Sequence, residues 1–405
     1  MAVLGAGLAG SSVALELAAR GIPVTLFDRD VRPFGRASLR NEGKVHLGLI
    51  YANDRSLATA QLQLRGALRF GALMRRWLGG EAGALPLSTP FHYVVAHDSL
   101  LDADALEAHY DRVQRLYETA RADDAALDYL GSAPRRLSRR VKLHALGARL
   151  ATARFAAAFE TAERAVDTAA LAVRVRAALQ AHPGITVRTG QRVRAVEPAA
   201  CGYRISGDNA TGTWHLDARQ VVNCLWEERL RIDRSVGLEP EPGWLHRLKY
   251  RVIARLPAAL RNGPSITMVL GPYGDVVVRG DGTGYFSWYP LGMRGWSDAL
   301  APPAEWTAAC RGEVAPDQAA AIARELLGAI DAWYPGAAAS EPLLVDAGVI
   351  VGYGRTDVDD PASGLHDRTR IGVRSSGGYH SLDPGKLTTA PLFGEIAAAR
   401  VEALA

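Results

Sequence analysis

Three glycines and an acid open the chain at a spacing that fits one kind of chemistry. Gly5, Gly7 and Gly10 fall in the run Gly5-Ala6-Gly7-Leu8-Ala9-Gly10, and Asp28 follows eighteen residues after Gly10. Between a strand and a helix, the first glycine permits a tight turn. The second lets main chain approach a pyrophosphate, and the third lets the helix pack closely on the strand. The helix N-terminus adds unpaired N–H groups and partial positive charge. A carboxylate at the position of Asp28 accepts hydrogen bonds from ribose hydroxyls and repels a 2′-phosphate. The ligand implied is NAD or FAD, and NADP is excluded. A second set of residues closes the chain, from Ser375 to Ala390, with Gly377, Gly378 and Gly385 among them. These glycines give close backbone approach, and Thr388 is expected to cap the last helix. The carbonyl of a flavin pyrimidine, which gains negative charge on reduction, suits the free N–H groups there.

The elements that must position these residues can be read in order. Ala2 to Leu4 is a short apolar strand, a helix runs to about Ala19, and Gly21 ends it before a strand from Pro23 to Phe27. Apolar residues at helical spacing predict a long helix from Ser56 to Leu78, and another from Asp104 to Ala120 with Leu106, Tyr110, Val113 and Leu116 on one face. Phe91 to Ala96 alternates as a strand. From Ala165 the nucleotide pattern resumes: a helix to Ala181, a strand at Gly184 to Arg188, a meander beginning near Val193, and a buried strand ending near Leu225. Trp244 to Tyr289 is rich in strands, with Tyr250, Tyr285, Trp288 and Tyr289 on a sheet that walls a chamber. The run Gly280-Asp281-Gly282-Thr283-Gly284 reads as a hairpin turn, because strands flank it and no helix follows. A helix from Ala315 to Tyr334 and a final one from Thr388 to about Leu404 complete the chain. The fold class predicted is α/β, with a discontinuous nucleotide domain (1–84, 161–235 and 346–405). The substrate domain (85–160 and 236–345) is α+β, built on a mixed or antiparallel sheet.

Bulk properties fit this layout. The chain has 405 residues, enough for two ordinary domains, with 48% hydrophobic and 22% charged residues as in globular proteins. The net charge is +4 and the arginines are scattered, which gives no basis for a nucleic-acid partner. Cys201, Cys224 and Cys310 form no CxxC pair, so neither a disulfide framework nor a zinc site is expected, and no metal is called for. No apolar run reaches the length of a membrane span, and no signal peptide is visible. A cytoplasmic, reducing setting is expected; the oligomeric state is open.

Three stretches together resemble the FAD-dependent oxidoreductases of the D-amino-acid oxidase superfamily. The opening fingerprint with Asp28 is one. Arg40-Asn41-Glu42-Gly43-Lys44-Val45-His46-Leu47-Gly48-Leu49-Ile50-Tyr51 is similar to the flavin-adjacent segment of L-2-hydroxyglutarate dehydrogenases. Gly385-Lys386-Leu387-Thr388-Thr389 resembles the closing segment of flavin-dependent glycerol-3-phosphate dehydrogenases. The resemblance covers most of the chain and is weakest over 85–160. It implies a Rossmann-type FAD domain and hydride transfer to flavin N5 from a carbon bearing an amine or hydroxyl. Oxygen or another acceptor would reoxidise the flavin. It also implies cofactor contacts from Leu8, Ala9, Arg29 and Ser38, from Arg40, Asn41, Lys44, Val45 and His46, and from Val193 against the adenine. Gly377, Gly378, Gly385, Lys386, Leu387 and Thr388 would contact the flavin from the tail.

Under that resemblance His46 lies beside the isoalloxazine. There it can accept a hydroxyl or ammonium proton, pack on the ring, or attach to it covalently. Tyr289, Arg355 and His380 are the other candidates for contact with the reacting groups. Family members acting on amino acids often carry an arginine for the substrate carboxylate where this chain has Ile350, so a plain amino or hydroxy acid is in doubt unless Arg355 or Arg251 takes over. The small polar substrate can instead be a sugar or amino sugar. Asp357, Asp359 and Asp360 read as a solvated loop. A flavin-dependent monooxygenase and a flavin-binding protein without catalysis are the alternatives.

Overall fold

A computed structural model describes residues 1–79, 85–356, 360, 364 and 367–404, the side chains of 147–149 excepted. The opening strand Ala2–Leu4 lies at the centre of a six-stranded sheet, paired in parallel with Val24–Phe27 on one side and Val221–Asn223 on the other. Ile185–Arg188 extends the sheet beyond Val24–Phe27. On the far side Tyr379–Asp383 pairs in parallel with Val221–Asn223, and Gly372–Ser376 closes that edge as an antiparallel hairpin. Every residue of the opening strand is buried, as a parallel strand covered on both faces requires. The first helix, Leu8–Ala19, is apolar nearly all round and ends where Gly21 takes a positive φ of 77°. Its neighbour Thr168–Ala181 starts at Asp167, whose carboxylate accepts the N–H groups of Ala169 and Ala170.

A second, nine-stranded sheet carries Phe91–Ala96, Ser138–Val141, Phe155–Thr161, and the strands between Trp244 and Ser297. The long strand Glu341–Tyr353 pairs antiparallel with Trp244–Arg255 and so runs through residue 345. Helix Pro316–Asp331 covers one face of this sheet with Ile322, Leu326 and Ile330, over Tyr250, Val252, Val276 and Phe286. Lys249, Arg251, Asp275 and Tyr285 alternate with those residues and line a cavity on the opposite face. A three-stranded meander, Arg192–Ala199, Gly202–Asn209 and Gly212–Ala218, sits beside the first sheet. The run 280–284 is a hairpin turn between Gly274–Val278 and Thr283–Trp288.

Two elements differ from the sequence expectation. Tyr379–Asp383 is a buried strand of the parallel sheet, where a glycine turn was expected. The final helix is Ala390–Glu402, and its N-cap position falls to Thr389, without a side-chain capping bond. Asp357 and Asp359 lie outside the described residues.

Candidate active site

One continuous cavity of about 2210 Å³ of empty space, part of it open to solvent, runs from the opening glycines to the large sheet.

At the glycine end, three close approaches explain the spacing. A Cβ on Gly10 would stand 1.8 Å from the carbonyl oxygen of Gly5. A Cβ on Gly7 would stand 2.9 Å from Ser38 Oγ, which itself accepts the N–H of Leu8 at 2.8 Å. Gly5 turns with φ 91° against Cys224 O. Asp28 lines the cavity and accepts N–H groups from Ala6 at 2.8 Å and Asp30 at 2.9 Å. Burial pushes its carboxyl up to about 6, against the pull of those two N–H groups. Arg29 is held by Glu227 and by Glu228 at 2.8 Å. Gln191, Arg192 and Val193 of the meander complete this end.

At the other end lie the ionisable groups. His46 is 4% exposed, and its main-chain N–H donates to Thr388 Oγ1 at 2.9 Å. Neither of its ring nitrogens has a hydrogen-bond partner among the described residues. Glu42 Oε1 lies 3.6 Å from Nε2, and Glu163 Oε2 lies 3.9 Å from Nδ1. Glu163 is fully buried and fixed by the N–H of Leu47 at 2.7 Å and the hydroxyl of Tyr93 at 2.5 Å. Burial opposes ionisation of Glu42, yet His46, Lys386 and Lys249 outweigh it and hold this carboxyl well below its ordinary value. Lys44 donates to Asp275 at 2.9 Å and to Thr267, with its ammonium 4.1 Å from the centre of the Phe91 ring. Burial depresses the Lys386 ammonium to about 8, assisted by Arg368 and Lys249 and opposed by Glu42.

The structure brings together most of the residues expected at the site. Gly5, Gly7, Leu8, Ala9, Asp28, Arg29, Ser38, Arg40, Asn41, Lys44, His46, Val193, Tyr289, Gly385, Lys386 and Leu387 line the cavity. Gly10, Val45 and Thr388 are buried and do not line it; Thr388 tethers His46 and does not cap the last helix. Four residues lie elsewhere. Arg355 is exposed and does not line the cavity. His380 is buried in its strand, bonded to Ser375 Oγ at 2.8 Å and Gln220 Oε1 at 3.2 Å. Burial, with Arg400 adding to it, lowers its pKa to about 4. Gly377 and Gly378 form the hairpin turn at the sheet edge, beside Tyr203 and Arg219. Arg251, the other carboxylate candidate, is spent on Asp346, at 2.6 and 3.1 Å. Sequence reading gave no role to Glu42, Tyr51, Lys249, Asp275 or Arg368, all of which line the chamber. The alternation around Lys249 and Arg251 is the signal that marked one face of that strand as polar.

A parallel sheet with a glycine cradle, joined to a chamber of buried titratable groups, defines a dinucleotide-dependent enzyme. The chain belongs to the FAD dependent oxidoreductase family (DAO), whose profile matches residues 1–400. Its fold is similar to that of glycine oxidase from Geobacillus kaustophilus, at 16% identity over 99% of this chain and 94% of that one, with a TM-score of 0.69. Iminodiacetate oxidase from Chelativorans sp. BNC1 matches at 18% identity over 99% and 95%, TM-score 0.67. The FAD-bound L-alpha-glycerophosphate oxidase of Mycoplasma pneumoniae matches at 14% over 99% and 94%, TM-score 0.66. At these identities the likeness is one of fold. No curated protein matches the chain. The protein is an FAD-dependent oxidoreductase, and the residues present fit FAD. The cradle that a Cβ at Gly7 would fill, and the Asp28 carboxylate lining it, suit a pyrophosphate and a ribose. Among the described residues no helix is long and apolar enough to cross a membrane.

Proposed function

We propose that the chamber oxidises a CH–OH or CH–NH carbon of a small polar substrate, with His46 accepting the hydroxyl or ammonium proton. FAD, when bound, supplies the hydride acceptor and is regenerated by oxygen or another acceptor. The observation that carries this reading is the His46 imidazole. It lines the cavity with both nitrogens unpartnered, while its backbone is pinned by Thr388 and carboxylates stand on two sides. A base free of internal hydrogen bonds and fixed in place is poised to bond a substrate proton. Glu42 steadies the imidazolium that results, by charge at 3.6 Å. Lys44, neutralised by Asp275, shapes the wall without adding net charge. The test is anaerobic mixing of the FAD-loaded protein with hydroxy acids, amino acids, amines and amino sugars. Loss of the flavin's visible absorbance with one of them supports the reading; an unreduced flavin throughout the panel defeats it.

A further inference from the structure

Arg229 is buried and does not line the cavity, yet its bonds lead to a segment that does. It opens the helix Arg229–Ser235, just after the strand Val221–Asn223. The residues before it reach the cavity wall. Glu227 and Glu228 hold Arg29 at the nucleotide end, and Trp226 Nε1 donates to Val349 O at 2.8 Å on the chamber side. Arg229 itself turns toward the tail. Its Nη2 donates to Asp383 Oδ2 at 2.8 Å, and its Nη1 donates to Asp233 Oδ2 at 3.0 Å and to Ser381 Oγ at 3.1 Å. Burial opposes the charge of this guanidinium, but Asp383 and Asp233 outweigh it and keep the group protonated. The other oxygen of Asp383, Oδ1, accepts the main-chain N–H of Gly385 at 3.0 Å. Gly385 has a φ of 62°, and Pro384, Gly385, Lys386 and Leu387 line the cavity. Thr389 Oγ1 closes the same turn by donating to Pro384 O at 2.5 Å.

We propose that Arg229 is a positioning residue for the flavin end of the cofactor site: by fixing Asp383 it sets the Gly385–Lys386 turn against which FAD is held. The proposal rests on the assignment of this turn to the flavin, within the oxidation reading of the chamber. A buried carboxylate deprived of its cation is costly, and it relieves that cost by turning toward water or by taking a proton. Either change loosens its hold on the Gly385 N–H. A guanidinium suits the place because its fork reaches Asp233, Ser381 and Asp383 from one side chain, whereas a lysine ammonium is a single point charge. The remaining bonds of this buried network, from Asn223 Nδ2 and the hydroxyls of Tyr379 and Ser381 to Asp233, hold the far side of Arg229. The Asp383 arm is the one that leads to the cavity.

The experiment compares wild type, Arg229→Lys, Asp383→Asn and Tyr379→Phe by two measurements made without substrate. One is hydrogen exchange of the tail peptide 383–390 in the FAD-loaded protein, followed by mass spectrometry. The other is the FAD dissociation constant. Arg229→Lys and Asp383→Asn should each speed that exchange and weaken FAD by about tenfold, the loss of one charge-assisted hydrogen bond. Tyr379→Phe removes a hydroxyl from the same network and leaves the Asp383 arm intact, so it should lower the urea midpoint while both readings stay at wild-type values. An unchanged value of either reading in Arg229→Lys overturns the proposal. An equal change in Tyr379→Phe also overturns it, since the network is then merely structural. Should Arg229→Lys fail to fold, Asp383→Asn decides by the same criteria. Neither reading involves turnover. A flavin that no substrate reduces, in a protein with the expected exchange and affinity, defeats the oxidation reading alone. A wild-type flavin reduced by substrate, with exchange unchanged in Arg229→Lys, defeats the role of Arg229 alone.

Discussion

The main-chain N–H of His46 is held by the hydroxyl of Thr388 at 2.9 Å, across 342 positions of the sequence. The same hydroxyl reaches Lys44 O at 3.4 Å. The segment that carries the base is thus fixed by the turn that carries Lys386. Thr388→Val keeps the shape and removes both bonds, leaving a buried N–H unpaired. It should lower stability by about 1–3 kcal/mol, seen in urea unfolding, and slow flavin reduction with little change in the flavin spectrum.

His46→Gln removes the proton acceptor. The rate of anaerobic flavin reduction should fall by about a hundred- to ten-thousandfold, while flavin content stays at the wild-type level. An unaltered reduction rate would remove His46 from the chemistry.

Asp28 gives a pH dependence to cofactor binding. Its carboxyl stands near 6 because of burial, and donor hydroxyls of a ribose bind the ionised form. FAD affinity should therefore fall as pH drops through about 6 and level off above it. Asp28→Asn should weaken binding about tenfold at neutral pH and flatten this profile. Release of fluorescent free flavin measures both.

Lys386 acts on stability in the opposite range. Burial, with Arg368 and Lys249, puts its folded value near 8, against an ordinary value of 10.5. Between those values the unfolded chain binds the extra proton, so stability rises with pH across that window and the penalty acts in full below it. Unfolding of FAD-free wild type and Lys386→Met at either end of the window should show the rise in the first and its loss in the second.

The glycines separate packing from binding. Gly10→Ala places a Cβ 1.8 Å from main-chain oxygen and should yield little folded protein. Gly7→Ala meets only Ser38 Oγ, at 2.9 Å. It should fold with a near-native melting temperature and bind FAD weakly, as shown by the flavin content of purified protein.

Local signals made the opening legible. Strand, turn, helix and acid lie within thirty residues, and their order fixes their geometry. The segment around His46 and the turn around Lys386 were legible as chemistry, though their meeting at Thr388 was not. Tyr379–Asp383 escaped because polar residues are rare in a buried strand. Here Ser381 accepts a hydrogen bond from Arg229, which also neutralises Asp383, and Tyr379 donates to Asp233, partners more than a hundred residues away. Lys249 escaped for a related reason. A polar face on an alternating strand usually meets water, whereas this one faces an enclosed chamber. Arg355 sat beside glycines and looked poised for binding, yet its side chain points to the surface and Arg368 occupies the chamber.

The opening strand pairs with residues 221–223, which in turn need 379–383 beside them. During synthesis the first domain half therefore waits, with its cradle formed only in part, until residues 379–383 have left the ribosome. Flavin loading is consequently a late event, and a chain stopped before residue 379 should emerge colourless and exposed to proteolysis.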